Sequence, residues 1–277
     1  MNDVARRISF ALLLAAFLLP SPAAAQIGFP GFPGGGRNQR YQSGLMGDRS
    51  GFSFCRLAYN GVTREAGGQG WSTDYPGADS NFMFRMEELT TIGMSKYPDG
   101  EFAYSIMSLG DPDLYRCGFL FASDVGTMGL NERDTAQLRD WLLKGGFLWV
   151  DDFWGDQAWE RWSREILRVL PGKQIVELPM DHPIFNMLYH VKKVPQIPSI
   201  NHWRRTGGGT SERGYESDTP EIRAIFDEHG RIMVLMSHDT DIADGWEREA
   251  ESDEYFYLFS PDAYAMAANI IVWAMTH

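Results

Sequence analysis

Short apolar runs along the chain alternate with segments in which apolar residues recur at helical spacing. The runs predict strands at residues 52–60, 102–108, 119–122, 147–150, 175–177, 222–226 and 231–236. Helical spacing predicts helices at residues 78–92, 132–144, 156–169 and from Ser260 almost to His277. Strands that alternate with helices are typical of an α/β fold, most simply a parallel sheet with helices on both faces.

Local signals mark some of the boundaries between these elements. Asn131 is a good N-cap for the second helix, with Asp134 three residues further on. Pro261 suits the first turn of the last helix. The Pro/Gly-rich residues 195–220 are expected to form loops, and residues 206–218 are the best candidate for a mobile lid or an exposed loop.

The N-terminus has the features of a secretory signal peptide. Arg6 and Arg7 precede an apolar run at residues 8–19, and the alanines at 23–25 offer a cleavage site. The run is too short to span a bilayer, so no stable membrane insertion is expected after cleavage. We expect a signal peptide at residues 1–25, a Gly/Pro-rich flexible linker at 26–50, a single domain at 51–277, and a periplasmic or secreted location.

Charge and composition narrow the classes of ligand. With a formal net charge of −12 at pH 7 and no basic run, the chain is not expected to bind nucleic acid or anionic membranes. Aromatic residues make up 13% of the chain and several fall in predicted loops, which favours a surface that stacks on ring-shaped ligands.

The two cysteines, Cys55 and Cys117, lie in or just before predicted strands. An oxidising compartment permits a disulfide between them. Two buried free thiols are the favoured expectation, because buried cysteine commonly behaves as a small hydrophobe.

Four groups of polar and aromatic residues follow predicted strands. Because the carboxyl ends of strands in an open α/β sheet meet at one edge, we expect these groups to form one crevice. The groups are Trp71, Asp74, Tyr75 and Asp79; Asp151, Asp152 and Trp154; Asp181 and His182; and His238, Asp239, Asp241, Asp244 and Trp246.

Asp151 and Asp152 come at the end of the strand in GGFLWVDDFWG. Neighbouring strand residues point to opposite faces, so one carboxylate is expected to face the crevice while the other accepts hydrogen bonds from backbone amides. The alternative is that both carboxylates cap the following turn.

The same turn lacks the nucleophile of an acyl-transfer enzyme. A nucleophile elbow places Ser or Cys between a strand and a helix, whereas this chain has VDDFWG.

The sequence leaves open whether the site binds a metal ion. Asp239, Asp241 and Asp244 in DTDIADG resemble a calcium loop with one residue too many, and His182, His238 and Asp152 together would suit zinc. The alternative for the first set is an acidic, solvated loop.

Several motifs resemble the bacterial domain-of-unknown-function family 4159, over residues 52–277. The motifs are FCRLAYNG, WSTDYPGADSNF, LRDWLLKGGFLWVDDFWG, MDHPIF, GRIMVLMSHDTDIADGWE and NIIVWAMTH. Their order also resembles that of the trehalose-utilisation ThuA-like proteins and, more distantly, of class I glutamine amidotransferase-like proteins. The resemblance implies a flavodoxin-like three-layer sandwich with a mostly parallel sheet. The missing elbow cysteine puts glutaminase activity in doubt.

The leading functional hypothesis is an exported protein that binds a small neutral, sugar-like ligand in the crevice, without glutaminase activity. The expected ligand-binding residues are Trp71, Asp74, Tyr75, Asp151, Trp154, Asp181, Asp239 and Trp246. A carboxylate- and histidine-based hydrolase is the alternative, with Asp152, His182 and His238 as its catalytic residues. A module that binds envelope proteins is the third reading. No cofactor is expected, with a divalent metal left open.

Overall fold

A computed structural model describes residues 51–277; the predicted signal peptide and linker lie outside these residues. The described part of the chain forms a seven-stranded sheet and six α-helices. The strands are β1 (Phe54–Ala58), β2 (Tyr104–Ser108), β3 (Phe119–Ser123), β4 (Phe147–Asp151), β5 (Val176–Glu177), β6 (Glu221–Phe226) and β7 (Ile232–His238). The helices are α1 (Gly77–Leu89), α2 (Glu132–Leu143), α3 (Gly155–Val169), α4 (Ile200–Thr206), α5 (Asp244–Glu247) and α6 (Asp253–Thr276).

The sheet is mostly parallel, and its strand order is β2-β1-β3-β4-β7-β6-β5. The first five strands in this order are parallel, whereas β6 pairs antiparallel with β7 and β5 antiparallel with β6. The order in which successive strands are added to the sheet reverses between β1 and β3, with β2 on one side and β4 and β7 on the other. Such a reversal opens a crevice at the carboxyl ends of the two strands.

Alternate residues of the central strands feed two hydrophobic cores. Phe121 and Trp149 pack on one face of the sheet together with residues of α1 and α6. Leu120 and Leu148 pack on the other face with residues of α2 and α3. Since strands buried on both faces read as continuous apolar runs, the pattern of the sequence indicated this arrangement correctly.

The predicted strands and the predicted start of α2 are confirmed. The Asn131 side chain accepts a hydrogen bond of 2.9 Å from the Asp134 N–H, which is the expected N-cap contact. The predicted strand pair at 222–226 and 231–236 forms the β6–β7 hairpin.

Two helix predictions need correction. The last helix begins at Asp253, seven residues before the predicted start at Ser260, and the Ser252 hydroxyl caps it by accepting from the Tyr255 N–H. Pro261 therefore lies inside α6, where its missing N–H leaves the carbonyl of Tyr257, an exposed residue, to solvent. The expected loop at 195–220 contains α4, capped by Ser199 and ended by Gly207 in the left-handed conformation.

The expectation of free thiols is wrong. Cys55 and Cys117 form a disulfide with a Cα–Cα distance of 6.3 Å, and both residues are buried. Cys55 lies in β1 and Cys117 directly precedes β3, so the bond ties together two neighbouring parallel strands.

Among the residues that the structure describes, none of the helices is both long enough and apolar enough to cross a bilayer.

Candidate functional site

Three adjacent parallel strands each end in the same way. Asp124 follows β3, Asp152 follows β4 and Asp239 follows β7, and all three have left-handed backbone conformations, with φ values of 53°, 54° and 60°. Asp74, in the loop after β1, has a φ of 65°. Aspartate is one of the few residue types that adopt this conformation readily, so each strand can turn sharply at its carboxyl end.

These turns border a cavity of about 470 Å³, which we call the acidic crevice. Eight carboxylates line it, against three guanidinium groups and no histidine or cysteine of the described chain. The carboxylates belong to Glu65, Asp74, Asp124, Asp152, Glu212, Asp241, Asp244 and Glu247, and the guanidinium groups to Arg205, Arg213 and Arg248.

Three of these carboxylates converge at the base of the crevice. Asp74, Asp152 and Asp241 each offer an oxygen atom, and these atoms lie within 4.8 Å of one another. The three residues are 7%, 9% and 4% exposed. We call them the first triad. Loops after β1, β4 and β7 deliver them, so the topology of the sheet brings together residues far apart in the sequence.

Local hydrogen bonds orient the first triad. One oxygen of Asp152 accepts from the Trp154 indole N–H at 3.0 Å. An oxygen of Asp241 accepts from the Asp244 N–H at 2.9 Å. The Ser123 hydroxyl lies 3.4 Å from both Asp74 and Asp152. The two shorter bonds each hold one oxygen of Asp152 and of Asp241, whereas the Ser123 contacts are longer than the usual range of an O–H···O hydrogen bond.

The electrostatics of the acidic crevice disfavour ionised carboxylates. Burial raises the pKa of Asp74 and of Asp241 well above the ordinary aspartate value, and the Asp152 charge raises both further. Burial, followed by Glu212, raises the pKa of Asp152 itself to about 6. A bound cation would relieve this repulsion, because it would be the largest local charge in the site.

Two further carboxylates at the crevice wall have buried oxygens without a hydrogen-bond partner. They are Oδ1 of Asp124 and Oε1 of Glu65. Burial and then the Asp152 charge raise the pKa of Asp124 to about 8 and that of Glu65 to about 7. Buried polar atoms in folded proteins are nearly always paired, so these two oxygens indicate a missing ligand, water or ion.

The structure separates the two neighbouring aspartates as strand alternation predicts. Asp152 lines the acidic crevice. Asp151 is fully buried, and its Oδ2 accepts from the Ala243 N–H at 3.0 Å. Asp74, Trp154, Asp241 and Asp244 join Asp152 at the crevice.

Asp181 and His182 do not reach the crevice, so the expectation that they join the other groups is wrong. The His182 N–H donates to the Pro179 carbonyl in a turn that reverses the chain after β5. The His182 ring then packs 5.0 Å from the Trp273 ring in the last turns of α6, and its Nδ1 accepts from the Ile184 N–H. Its geometry is that of a capping residue.

His238 and Asp239 lie at the expected edge but outside the acidic crevice. The His238 ring packs 4.9 Å from Phe153, and Arg223 lies 3.0 Å from its Nδ1. Burial, followed by the Arg223 charge, lowers the pKa of His238 to about 4, so the ring is neutral at pH 7. Asp239 accepts from the Gly155 N–H at 2.7 Å, at the start of α3. Among the described residues, the ligand atoms of Asp239, Asp241 and Asp244 do not converge as one group, in contrast to the expected calcium loop.

The predicted aromatic lining is mostly absent from this crevice. Trp246 is fully buried, because α5 turns its indole back into the core beside Phe82 and Trp149. Trp71 and Tyr75 pack on each other at 5.8 Å and do not line the acidic crevice. Trp71 instead lines neighbouring depressions at the same edge.

Sequence reasoning missed four of the carboxylates, namely Glu65, Asp124, Glu212 and Glu247. Asp124 carried a usable signal, since it follows the apolar run FLFAS just as Asp152 follows FLWVD. The loop residues Glu65 and Glu212 carried none. Glu212 and Arg213 belong to residues 206–218, which the sequence predicts as a mobile lid or an exposed loop. Both residues line the acidic crevice.

Comparison with protein families identifies one match that covers most of the chain. The model of the family described as "Domain of unknown function (DUF4159)" matches residues 53–275. A comparison with curated proteins found no match.

Proposed function

Because the chain belongs to the DUF4159 family, a domain of unknown function, we propose its function from the acidic crevice: it binds a divalent cation at the first triad and uses the ion to hold a small, oxygen-rich ligand. One observation carries the proposal. Three buried carboxylates from three separate loops present oxygen atoms within 4.8 Å of one another.

The donor set favours a hard cation. Carboxylate oxygens are the protein ligands of Mg²⁺, Mn²⁺ and Ca²⁺, whereas zinc sites usually contain His or Cys. Neither type lines the acidic crevice in the described part of the chain. His182, His238 and Asp152, which the sequence suggested as a zinc site, are not among the converging groups of ligand atoms in the described residues.

The volume and lining of the crevice support a small polar ligand beside the ion. The cavity of about 470 Å³ falls within the usual range for small-molecule sites. Trp154, Ser199 and Asn201 line it in addition to the charged groups. A sugar-like ligand fits this class, with hydroxyl groups that coordinate the cation in place of the stacking on Trp71 and Tyr75 that the sequence suggested.

Hydrolysis is a second candidate function, favoured by Glu65 and Asp124. Their pKa values of about 7 and 8 lie close to neutrality, where a general acid or base works best. When bound, a divalent cation supplies Lewis acidity and a more acidic water molecule. The turn after β4 offers no Ser or Cys nucleophile, so the proposal includes no glutaminase activity.

The strand order supports a flavodoxin-like fold. The five parallel strands follow the order 2-1-3-4-5 when they are counted among themselves, which is the flavodoxin-like order. In that fold a ligand binds where the order reverses, between the first and third strands. Asp74 and Asp124 follow those two strands here. The buried Cys55–Cys117 disulfide supports export to an oxidising compartment.

Cation binding to the chelator-treated protein tests the proposal. We expect Mn²⁺, Mg²⁺ or Ca²⁺ to raise the melting temperature, with a stabilisation of about 2.7 kcal/mol at an ion concentration 100 times the Kd. Asp152→Asn should abolish the shift. Asp239→Asn is the matched control, since Asp239 also follows a strand in the left-handed conformation but lies outside the crevice. The absence of a shift with all three ions would overturn the proposal.

A further inference from the structure

We infer that the acidic crevice holds a second divalent cation, bridged to the first by Asp74. The inference rests on the proposed cation site and deepens it. Asp74, Asp244 and Glu247 form a second triad, whose ligand atoms again lie within 4.8 Å of one another. Asp74 belongs to both triads.

The shared carboxylate is what makes the two triads one centre. A carboxylate has two oxygens and can therefore bind one ion through each. Ions in two-metal sites lie about 3.5–4 Å apart, a separation that one bridging carboxylate spans. Two separate triads joined by a single aspartate have the arrangement that such a centre requires.

The state of Asp74 gives independent support. The residue is 7% exposed, and the only donor that the described residues offer to its carboxylate is the Ser123 hydroxyl at 3.4 Å. That distance exceeds the 2.5–3.0 Å range of an O–H···O hydrogen bond. The charge of Arg56 lowers the pKa of Asp74 somewhat, but this guanidinium is paired with Asp79, and no ion pair of the described residues includes Asp74 itself. A carboxylate this deeply buried needs a strong partner, and cations on both sides would supply it.

The charge balance of the crevice points the same way. Its eight carboxyl groups outnumber its three guanidinium groups, and a first bound cation would favour the ionised form of the carboxyl groups around it. Arg213 lies 3.5 Å from Glu65 and 3.6 Å from Glu212, so its ion pairs are with carboxylates outside the second triad. In the second triad, Arg56 acts on Asp74, whereas the positive charge beside Asp244 and Glu247 comes from Arg248, whose place a second ion would take.

Arg248 is the group that a second ion must displace. Its Nε lies 2.5 Å from a Glu247 oxygen and 3.8 Å from an Asp244 oxygen. Its side chain is 39% exposed, so it can swing into solvent when an ion enters. This competition makes the second site weaker than the first, and the two ions should bind in sequence.

A titration of the full, chelator-treated chain with Mn²⁺ tests the inference. Calorimetry should give two Mn²⁺ per chain, and electron paramagnetic resonance should show the spectrum of an exchange-coupled pair. Glu247→Gln, at a partly exposed position that should tolerate the change, should weaken the second ion about tenfold or more and leave the uncoupled signal of a single ion. Glu249→Gln is the matched control, because Glu249 pairs with Arg85 outside the crevice.

Two further variants test the competition with Arg248 and the bridging role of Asp74. Arg248→Gln should tighten the second ion, since it removes the competing guanidinium. Asp74→Asn should abolish the coupling and weaken both ions.

Each outcome decides between the two proposals. No bound Mn²⁺ overturns the proposed function and the second site together. One Mn²⁺ per chain, with an affinity that Glu247→Gln leaves unchanged, overturns the second site alone. Two Mn²⁺ without coupling overturn the bridging role of Asp74.

Discussion

Asp151 and Asp152 are neighbours in the chain, and we expect them to have opposite effects on stability. Asp151 is fully buried and accepts from the Ala243 N–H, so it holds the loop after β7 against the end of β4. Asp152 faces the acidic crevice and repels several other carboxylates. Residues held at a site in this way commonly lower the stability of the fold that carries them.

We therefore expect Asp152→Asn to leave the melting temperature of the cation-free protein unchanged or higher. Asp151→Ala should lower the free energy of unfolding by about 1–3 kcal/mol, because it leaves the buried Ala243 N–H without an acceptor. Thermal and denaturant melts of both variants in EDTA would measure the difference. If Asp152→Asn melts well below the parent, Asp152 is a structural residue and its assignment to a site fails.

The pKa values of Glu65 and Asp124 predict how stability depends on pH. Both are raised, to about 7 and about 8, so the folded chain binds these protons more tightly than the unfolded chain. Where the folded state binds more protons, the free energy of unfolding falls as the pH rises. In EDTA, stability should therefore fall as the pH rises from the ordinary carboxyl values of 3.8 and 4.5 to the raised values, and it should level off above about pH 8. His238, whose pKa is lowered from 6.5 to about 4, has the opposite effect between those two values, so it does not oppose the fall between about pH 6.5 and 8.

Melting curves across that pH range check the expectation. Glu65→Gln and Asp124→Asn should each flatten the profile, and saturating Mn²⁺ should do the same in the parent. A cation-free parent whose stability rises or stays level over this window would contradict the raised pKa values of the two carboxyl groups.

At the scale of single residues the sequence predicts position better than orientation. Asp74, Asp152 and Asp241 could be placed at the site because each follows a predicted strand. Trp246 also follows a strand, yet its indole lies in the core, since only the tertiary packing of α5 decides which way that short turn faces. His182 was misplaced because a turn after β5 reverses the chain.

At the scale of elements, the strands were the easiest to predict and the helices near proline the hardest. Apolar runs buried on both faces have few alternatives to a central strand. The residues before and after α4 are rich in Pro and Gly, so the sequence predicted a loop where the structure has a helix. This helix places Asn201 and Arg205 at the crevice wall. Pro261 likewise suggested a helix start, whereas α6 continues through it.

The end of α4 allows a test that isolates backbone conformation. Gly207 ends the helix at a φ of 69°, and a Cβ there would meet no atom within 4 Å. Gly207→Ala should thus cost about 1–2 kcal/mol from left-handed strain alone. Gly207→Asn should cost less, because Asn tolerates this conformation. Denaturant melts would rank the two variants, and an equal loss for both would mean that the turn needs glycine for another reason.

At the scale of the whole molecule, the residues that form the core of the sheet differ from the residues that line the candidate site. The fold class and the edge of the site could be predicted, since both depend on local periodicity and on the common geometry of open sheets. The membership of Glu65, Glu212 and Glu247 could not, because it depends on how long loops close over the crevice. The disulfide could not either, because the spacing of two cysteines does not reveal their separation in space.

The last prediction tests whether the disulfide and the acidic crevice are independent of each other. The Cys55–Cys117 disulfide closes a loop with a sequence separation of 62 residues and lies toward the amino ends of β1 and β3, away from the acidic crevice. Replacing both cysteines by alanine should lower the free energy of unfolding by about 4 kcal/mol, since the unfolded chain regains the entropy of the open loop.

Mn²⁺ affinity of the folded double variant should remain that of the parent, which is the reverse of the result expected for Asp152→Asn. Calorimetry well below the melting temperature of the variant, together with denaturant melts, would measure both quantities. A folded Cys55→Ala, Cys117→Ala variant that binds Mn²⁺ much more weakly would show that the crevice depends on the spacing of β1 and β3. The two ends of the sheet would then not act independently, because Asp74 and Asp124 follow those same two strands.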